Sequence, residues 1–160
     1  MSVILPNFQD ARLLQSEIMT PSPLTKEYLH SYMVQHKFAV LSTVNADHHP
    51  EAAVVGIMVT PDLRIFCDTL STSRKYVNVL GNSAVAVVIG WDDEKTVQYE
   101  GVARVPVGDE LQELLELYYE VFPDGKDRNL NWPDIAYIVV DPKWLRYSDF
   151  SVPEIKEASF

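Results

Sequence analysis

Ser71-Thr72-Ser73-Arg74-Lys75 places three hydroxyls directly ahead of two cations. Ser73 is the residue type that caps a helix, and the pattern after it predicts a short helix to about Leu80, closed by Gly81-Asn82. The first turn of such a helix leaves N–H groups unpaired and carries the positive end of its dipole. A phosphate accepts from all of these donors, and Arg74 and Lys75 add fixed and mobile charge. The same five residues also read as an ordinary solvated helix start. Local chemistry alone leaves both readings open.

Other groups with chemical potential come out plainer. His48 and His49 are neighbours in a polar turn with no partner at metal-ligand spacing, so no metal site is expected. Cys67 ends an apolar strand, where a small buried side chain is expected rather than a nucleophile. Trp144, Arg146 and Tyr147 form an aromatic-basic cluster that fits either barrel packing or the rim of a ring-binding cleft.

The elements that must position these groups follow from periodicity. Thr25 can cap a helix carrying Tyr28, Leu29, Tyr32, Met33 and His36 at helical spacing. Residues 38–44 are apolar and β-branched, and a polar turn over 45–50 leads into a strand over 51–59. A further strand over 63–68 precedes the hydroxyl-rich stretch. Residues 84–91 form a nearly unbroken apolar strand, expected to be buried on both faces. Residues 95–105 form a long strand interrupted by Gly101, where a bulge or bend is expected.

Asp109, with Gln112 completing a capping box, predicts a helix over 109–122 whose outer face is acidic and solvated. Residues 123–134 read as a polar loop. Two last strands, 135–140 and 144–147, are split by Asp141-Pro142. The fold class expected is mainly β with peripheral helices, six or seven mostly antiparallel strands in a closed or partly closed barrel. There is no βαβ alternation and no GxGxxG turn, which excludes a doubly wound dinucleotide fold.

Composition bounds the partners. The chain has 160 residues and a net charge of −10, with 13 basic and 23 acidic side chains. That balance argues against general binding to nucleic-acid phosphates. The bases are proportionally richer in the first half, where Arg74 and Lys75 stand. No apolar run reaches membrane-spanning length, the amino terminus lacks a secretion-signal pattern, and one cysteine forms no internal disulfide. A cytoplasmic protein with no membrane partner is expected.

The order of elements adds a resemblance. Ile65-Phe66-Cys67-Asp68-Thr69, then Ser73-Arg74-Lys75, then Asn82-Ser83-Ala84-Val85-Ala86-Val87, resembles the pyridoxamine phosphate oxidase-like, FMN-binding split-barrel superfamily. Tyr99-Glu100-Gly101-Val102-Ala103 is similar to that family's glycine-containing barrel strand. The resemblance covers residues 25–149, leaving 1–24 as an extension and 150–160 as a tail. It implies the split form of the antiparallel β-barrel, and that Ser73, Arg74 and Lys75 meet an FMN phosphate. Phe66, Cys67, Asp68 and Thr69 would form the strand end that contacts the ribityl chain or phosphate. Ala53, Val54, Val55 and Gly56 would line the isoalloxazine ring. Thr96 stands where the oxidases place a glutamine, and Asn78 and Trp144 complete the implied set.

The resemblance further implies a homodimer with the flavin at its interface. It also implies flavin-mediated hydride or electron transfer on a small substrate, with NAD(P)H as donor. No catalytic acid or base is implied, because the flavin ring would carry the redox chemistry. Departures narrow the activity. Ala52 and Ile57 replace the Arg and Lys that true oxidases carry, and Ser148 stands near their tryptophan. Vitamin B6 oxidation is therefore not expected. A flavin reductase or a stress-linked flavin-binding protein of the single-domain branch fits better. The rivals are a non-catalytic flavin-binding or sensing module, a deazaflavin-dependent reductase, and a haem-binding relative lacking an evident axial histidine.

Overall fold

Alternation of small apolar and polar side chains decides which way each strand faces. In the computed structural model, which describes residues 24–152 and 154–160, β1 (Phe38–Val44) turns Ala39, Leu41 and Thr43 inward. The expected leading segment 7–19 and the Pro21-Ser22-Pro23 break lie outside the described residues. α1 (Lys26–Met33) starts at Thr25, whose side chain accepts from the Tyr28 N–H, and it buries Leu29 and Met33.

The remaining elements are β2 (Pro50–Gly56), β3 (Met58–Val59), β4 (Ile65–Leu70), α2 (Arg74–Gly81), β5 (Ala84–Ile89) and β6 (Lys95–Arg104). After them come α3 (Gly108–Val121), α4 (Gly125–Asn131), β7 (Ile135–Asp149) and β8 (Glu154–Ser159). The strands run β2-β1-β5-β6-β7-β4-β3 with every pair antiparallel, and β8 adds to β7. Only Ile57 separates β2 from β3, and its N–H donates to the Lys37 carbonyl at 2.9 Å. One bent strand therefore supplies both ends of the sheet. The sheet rolls up as the expected antiparallel split barrel, with β8 as an added edge strand on β7.

Two apolar clusters result. The larger fills the barrel with Leu41, Ile65, Val87, Val97, Tyr99, Ile138 and others, closed by Leu29 and Met33 of α1 and Val79 of α2. The second lies beneath α3, where Leu114, Leu115 and Tyr118 cover Met58, Phe66, Tyr137 and Val139. The Tyr99 hydroxyl lies 3.0 Å from both the Leu63 and the Val140 carbonyls, giving a buried polar group its acceptors.

Several expectations are corrected. β5 is buried on one face only: Val85, Val87 and Ile89 point in, while Ala84, Ala86 and Val88 are exposed. An apolar run alone does not distinguish these cases. β7 is one strand through Asp141-Pro142, because Pro142 sits opposite Gly101, where the register shifts between Glu100 and Gly101. A bulge leaves no ladder donor for Pro142 to lack. A Cβ at Gly101 would meet the Asp141 carbonyl oxygen at 2.6 Å, which requires glycine.

α3 begins at Gly108 without the side-chain cap expected from Asp109. Its first turn is fixed instead by Glu110, which accepts from Arg104 at 2.6 and 2.7 Å and from Arg64 at 3.0 Å. The loop expected over 123–134 contains α4, and the tail contains β8.

Candidate functional site

α2 starts where the hydroxyls predict. Ser73 is extended, and its Oγ accepts from the Tyr76 N–H at 3.3 Å. The same Oγ lies 2.9 Å from Thr69 Oγ1 at the end of β4, and Lys75 Nζ reaches that Thr69 oxygen at 3.5 Å. The loop between them is tied down by Ser73 N–H to the Leu70 carbonyl and by Ser71 N–H to Asp134. Thr69, Ser73 and Lys75 thus form one cluster at the positive end of an eight-residue helix.

This cluster borders a groove of about 270 Å³ lined by Leu41 and Thr43 of β1, Glu51, Ala52 and Ala53 of β2, and Arg74 and Lys75. Register sets the wall, since Leu41 pairs with Ala53 and Thr43 with Glu51. Glu51 is the residue that sequence reasoning missed. Its Oε1 accepts from Asn45 at 3.2 Å and from Arg74, and its Oε2 accepts from Asn78 Nδ2 at 2.9 Å. Asn78, buried, also donates to Thr43 Oγ1 at 2.9 Å. The Asn78 amide, with Arg74 and Asn45 adding to it against desolvation, holds the Glu51 carboxyl below its ordinary value.

Arg74 is 80% exposed while Glu51 is 16% exposed, so the guanidinium lies across the groove mouth with its anchor inside. Among the described residues no ion pair engages Lys75. A neighbouring groove of about 570 Å³, bounded by Asn45, Asp47, His48, Val77 and Asn82, carries neither Lys nor Arg. Arg74 and Lys75 line the smaller groove. His48 takes φ 64° in the β1–β2 turn, stabilised by Asn45 Oδ1 accepting from Asp47 N–H at 3.0 Å and His49 N–H at 2.9 Å.

The other sequence candidates are spread around the barrel. Ala53 lines the groove, Val54 projects from the outer face, and Val55 is in the barrel core. Gly56 lies against the Phe122 ring. Asp68 faces α4, where its carboxylate accepts from Arg128 Nε at 2.7 Å; Arg128 also pairs with Asp124 and reaches the Tyr118 hydroxyl at 3.3 Å. That ion pair engages the carboxylate that the sequence reading aimed at a ligand. Thr96 Oγ1 donates to the Ile89 carbonyl at 3.4 Å, outside the groove.

Trp144 lies under the Arg146 guanidinium, 5.3 Å from its ring centroid. Along the row Ser42–Ala86–Glu100–Trp144 it stands three strands from β1, the nearer wall of the groove, roughly 14 Å along the sheet at ordinary strand spacing. Within one chain it does not meet Arg74 or Lys75.

Phe66 and Cys67 have side chains closed to any ligand. Phe66 is fully buried under α3, stacked on Tyr137 and edge-on to Tyr118, both at 5.4 Å. Cys67 points into the barrel, where burial pushes its thiol up to about 12. The strand alternation separates these two, and neither side chain faces the groove.

Chemically, residues 69–75 fit a phosphate monoester. They supply hydroxyls, the open N–H groups of a helix first turn, and a mobile cation. Glu51 is the one carboxylate lining the same space.

The barrel and this helix start define the class of oxidase-like split barrels. The family model described as pyridoxamine 5'-phosphate oxidase matches residues 25–149, so the chain belongs to that family. No curated protein sequence matches it.

Solved structures agree on the fold. A haem-binding protein from Mycobacterium smegmatis superimposes with a TM-score of 0.75 at 15% identity, over 86% of this chain and 59% of that one. The chain thus spans about three-fifths of that protein's length. A Listeria innocua protein provisionally named pyridoxamine 5'-phosphate oxidase gives 0.64 at 20% identity, over 78% of this chain and 98% of that one. General stress protein 26 from Bacillus anthracis gives 0.61 at 23% identity, over 82% and 99%. HutZ, the haem storage protein of Vibrio cholerae, gives 0.64 at 19%, over 76% and 92%. At these identities the likeness speaks to fold alone.

Proposed function

We propose that the groove between β1, β2 and α2 holds the phosphate of FMN, and that the chain works as a cytoplasmic, homodimeric flavoprotein. One observation carries the reading: Thr69, Ser73 and Lys75 converge on the first turn of α2, in a family whose name denotes chemistry on a phosphorylated pyridoxamine. When bound, FMN would supply hydride or electron transfer, with NAD(P)H as donor and a small molecule as acceptor. The chain's own residues bind and orient: Lys75 and Arg74 neutralise phosphate charge, the hydroxyls direct hydrogen bonds, and Ala53 lets the groove wall approach closely.

A second copy fits the outer sheet face. Val54 of β2 and Ala84, Ala86 and Val88 of β5 are exposed there on either side of β1, making an apolar surface that association would cover. A partner lying on that face would also supply Trp144 and Thr96, which one chain holds away from its own groove.

The test is a flavin titration of wild type, Lys75→Ala and Arg74→Ala, with riboflavin as the ligand lacking phosphate. A hydrogen bond to a charged group contributes about 1.5–3 kcal/mol, so Lys75→Ala is expected to raise the FMN Kd roughly tenfold or more. Arg74→Ala shifts it in the same direction, and riboflavin affinity stays unchanged. Absence of flavin absorption bands in the protein after FMN is added and the unbound excess removed overturns the proposal.

Turnover separates the enzyme from a sensing module, which would bind FMN without sustained NADH or NADPH oxidation. Tighter binding of a deazaflavin would favour that rival. The haem reading is prompted by the names of the Mycobacterium and Vibrio proteins. No histidine lines the groove between β1, β2 and α2, and a haem titration with no Soret shift would dispose of it.

A further inference from the structure

Glu51 has a carboxylate at the place where an anionic ligand would seat, and the sequence offers no reason for it there. It accepts from Asn45, Arg74 and Asn78, and its side chain is mostly enclosed while Arg74 is mostly open. The three donors come from the β1–β2 turn and two positions of α2, so Glu51 binds the wall of the groove to its lid helix. Asn78 has a second acceptor in Thr43 and keeps its place without Glu51. Arg74 has no other ion-pair partner among the described residues, so its orientation across the groove depends on Glu51.

We infer that Glu51 is an internal counter-ion that occupies Arg74 in the ligand-free protein and sets the groove's selectivity against phosphate. This rests on the flavin reading above. A dianionic phosphate entering beside Lys75 meets a fixed negative charge and an Arg74 already engaged, so Arg74 has to exchange one anion for another. Glu51 thereby lessens the preference for phosphorylated ligands over neutral ones of the same shape that Lys75 and Arg74 would otherwise give. Lys75, with no ion pair among the described residues, makes the first contact, and release of Arg74 from Glu51 follows. Ionic exchange at a solvent-open rim is screened by salt, so the penalty is largest at low ionic strength.

The experiment is fluorescence titration of FMN and riboflavin against wild type, Glu51→Gln, Glu51→Asp and the double variant Glu51→Gln/Arg74→Ala, at low and physiological salt. Glutamine keeps an acceptor for Arg74 and Asn78 but removes the charge. The expected result is an FMN Kd about tenfold lower in Glu51→Gln, more at low salt, with riboflavin changed less than about twofold. Glu51→Asp keeps the charge and shows no such gain, and the gain shrinks when Arg74 is absent. FMN affinity unchanged or weakened in Glu51→Gln, with thermal melts confirming the fold, overturns the inference while leaving the flavin reading intact. An equal gain in the Arg74→Ala background overturns the competition for Arg74. Failure of every variant, wild type included, to bind FMN overturns the flavin reading and this inference with it.

Discussion

Replacing Phe66 tests whether the strand before the candidate groove contributes packing or ligand contact. Its ring is fully buried, parallel to Tyr137 and perpendicular to Tyr118, in the cluster that fastens α3 to the barrel. Phe66→Ala removes that ring where Met58, Leu114 and Leu115 cannot all move in, so a loss of about 4 kcal/mol is expected. For a domain of this size, roughly 2–4 °C per kcal/mol places the melting point about 8–16 °C lower. Domains of ordinary stability, about 5–15 kcal/mol, survive this at room temperature. Phe66→Leu keeps most of the volume and loses mainly the ring–ring geometry, about 1–2 kcal/mol.

The assay pairs thermal unfolding by circular dichroism with flavin titration of the folded fraction. Both variants should melt earlier and bind FMN within about twofold of wild type, because an unaltered groove needs no change in binding free energy. Phe66→Leu that melts normally yet loses more than about fivefold in FMN affinity would refute this placement.

Gly101→Ala should be worse than its single methyl suggests: the new Cβ meets the Asp141 carbonyl oxygen and Val140 Cγ1, both at 2.6 Å, and Tyr99 at 2.8 Å. A loss of about 2–3 kcal/mol is expected by chemical denaturation, and a loss under about 0.5 would mean the bulge relaxes freely. Cys67 should resist alkylation at pH 8 in the folded protein, since burial pushes its thiol up to about 12, and react only on unfolding. Fast labelling of native protein would contradict its burial.

Much of the frame is legible in the chain. Short β-branched runs mark the strands, Ser73 announces α2, and Gly101 announces the bulge, because each depends on local backbone preference. What escapes depends on distance. Glu51 reads as an unremarkable strand residue until Arg74 and Asn78, 23 and 27 positions away, fold onto it. The Asp68–Arg128 pair spans 60 positions, and α4, whose Gly125–Asn131 sequence is polar and flanked by Pro123 and Pro133, has no apolar stripe to betray it. Pro142 looks like a strand breaker because its tolerance is granted by a glycine on another strand. Phe66 and Cys67 are correctly placed along the chain as a strand, yet which core each enters depends on where α3 lies.

The ten residues from Pro50 to Val59 act like a hoop stave that is also a doorpost. They join the two ends of the sheet through Ile57, and their first half forms one wall of the groove. A circular permutant opened at Ile57 would lose closure and recognition in one cut, whereas one opened at the Asp92–Glu94 hairpin would sever neither. The proposed binding groove is thus no transferable loop. Grafting it means grafting the barrel.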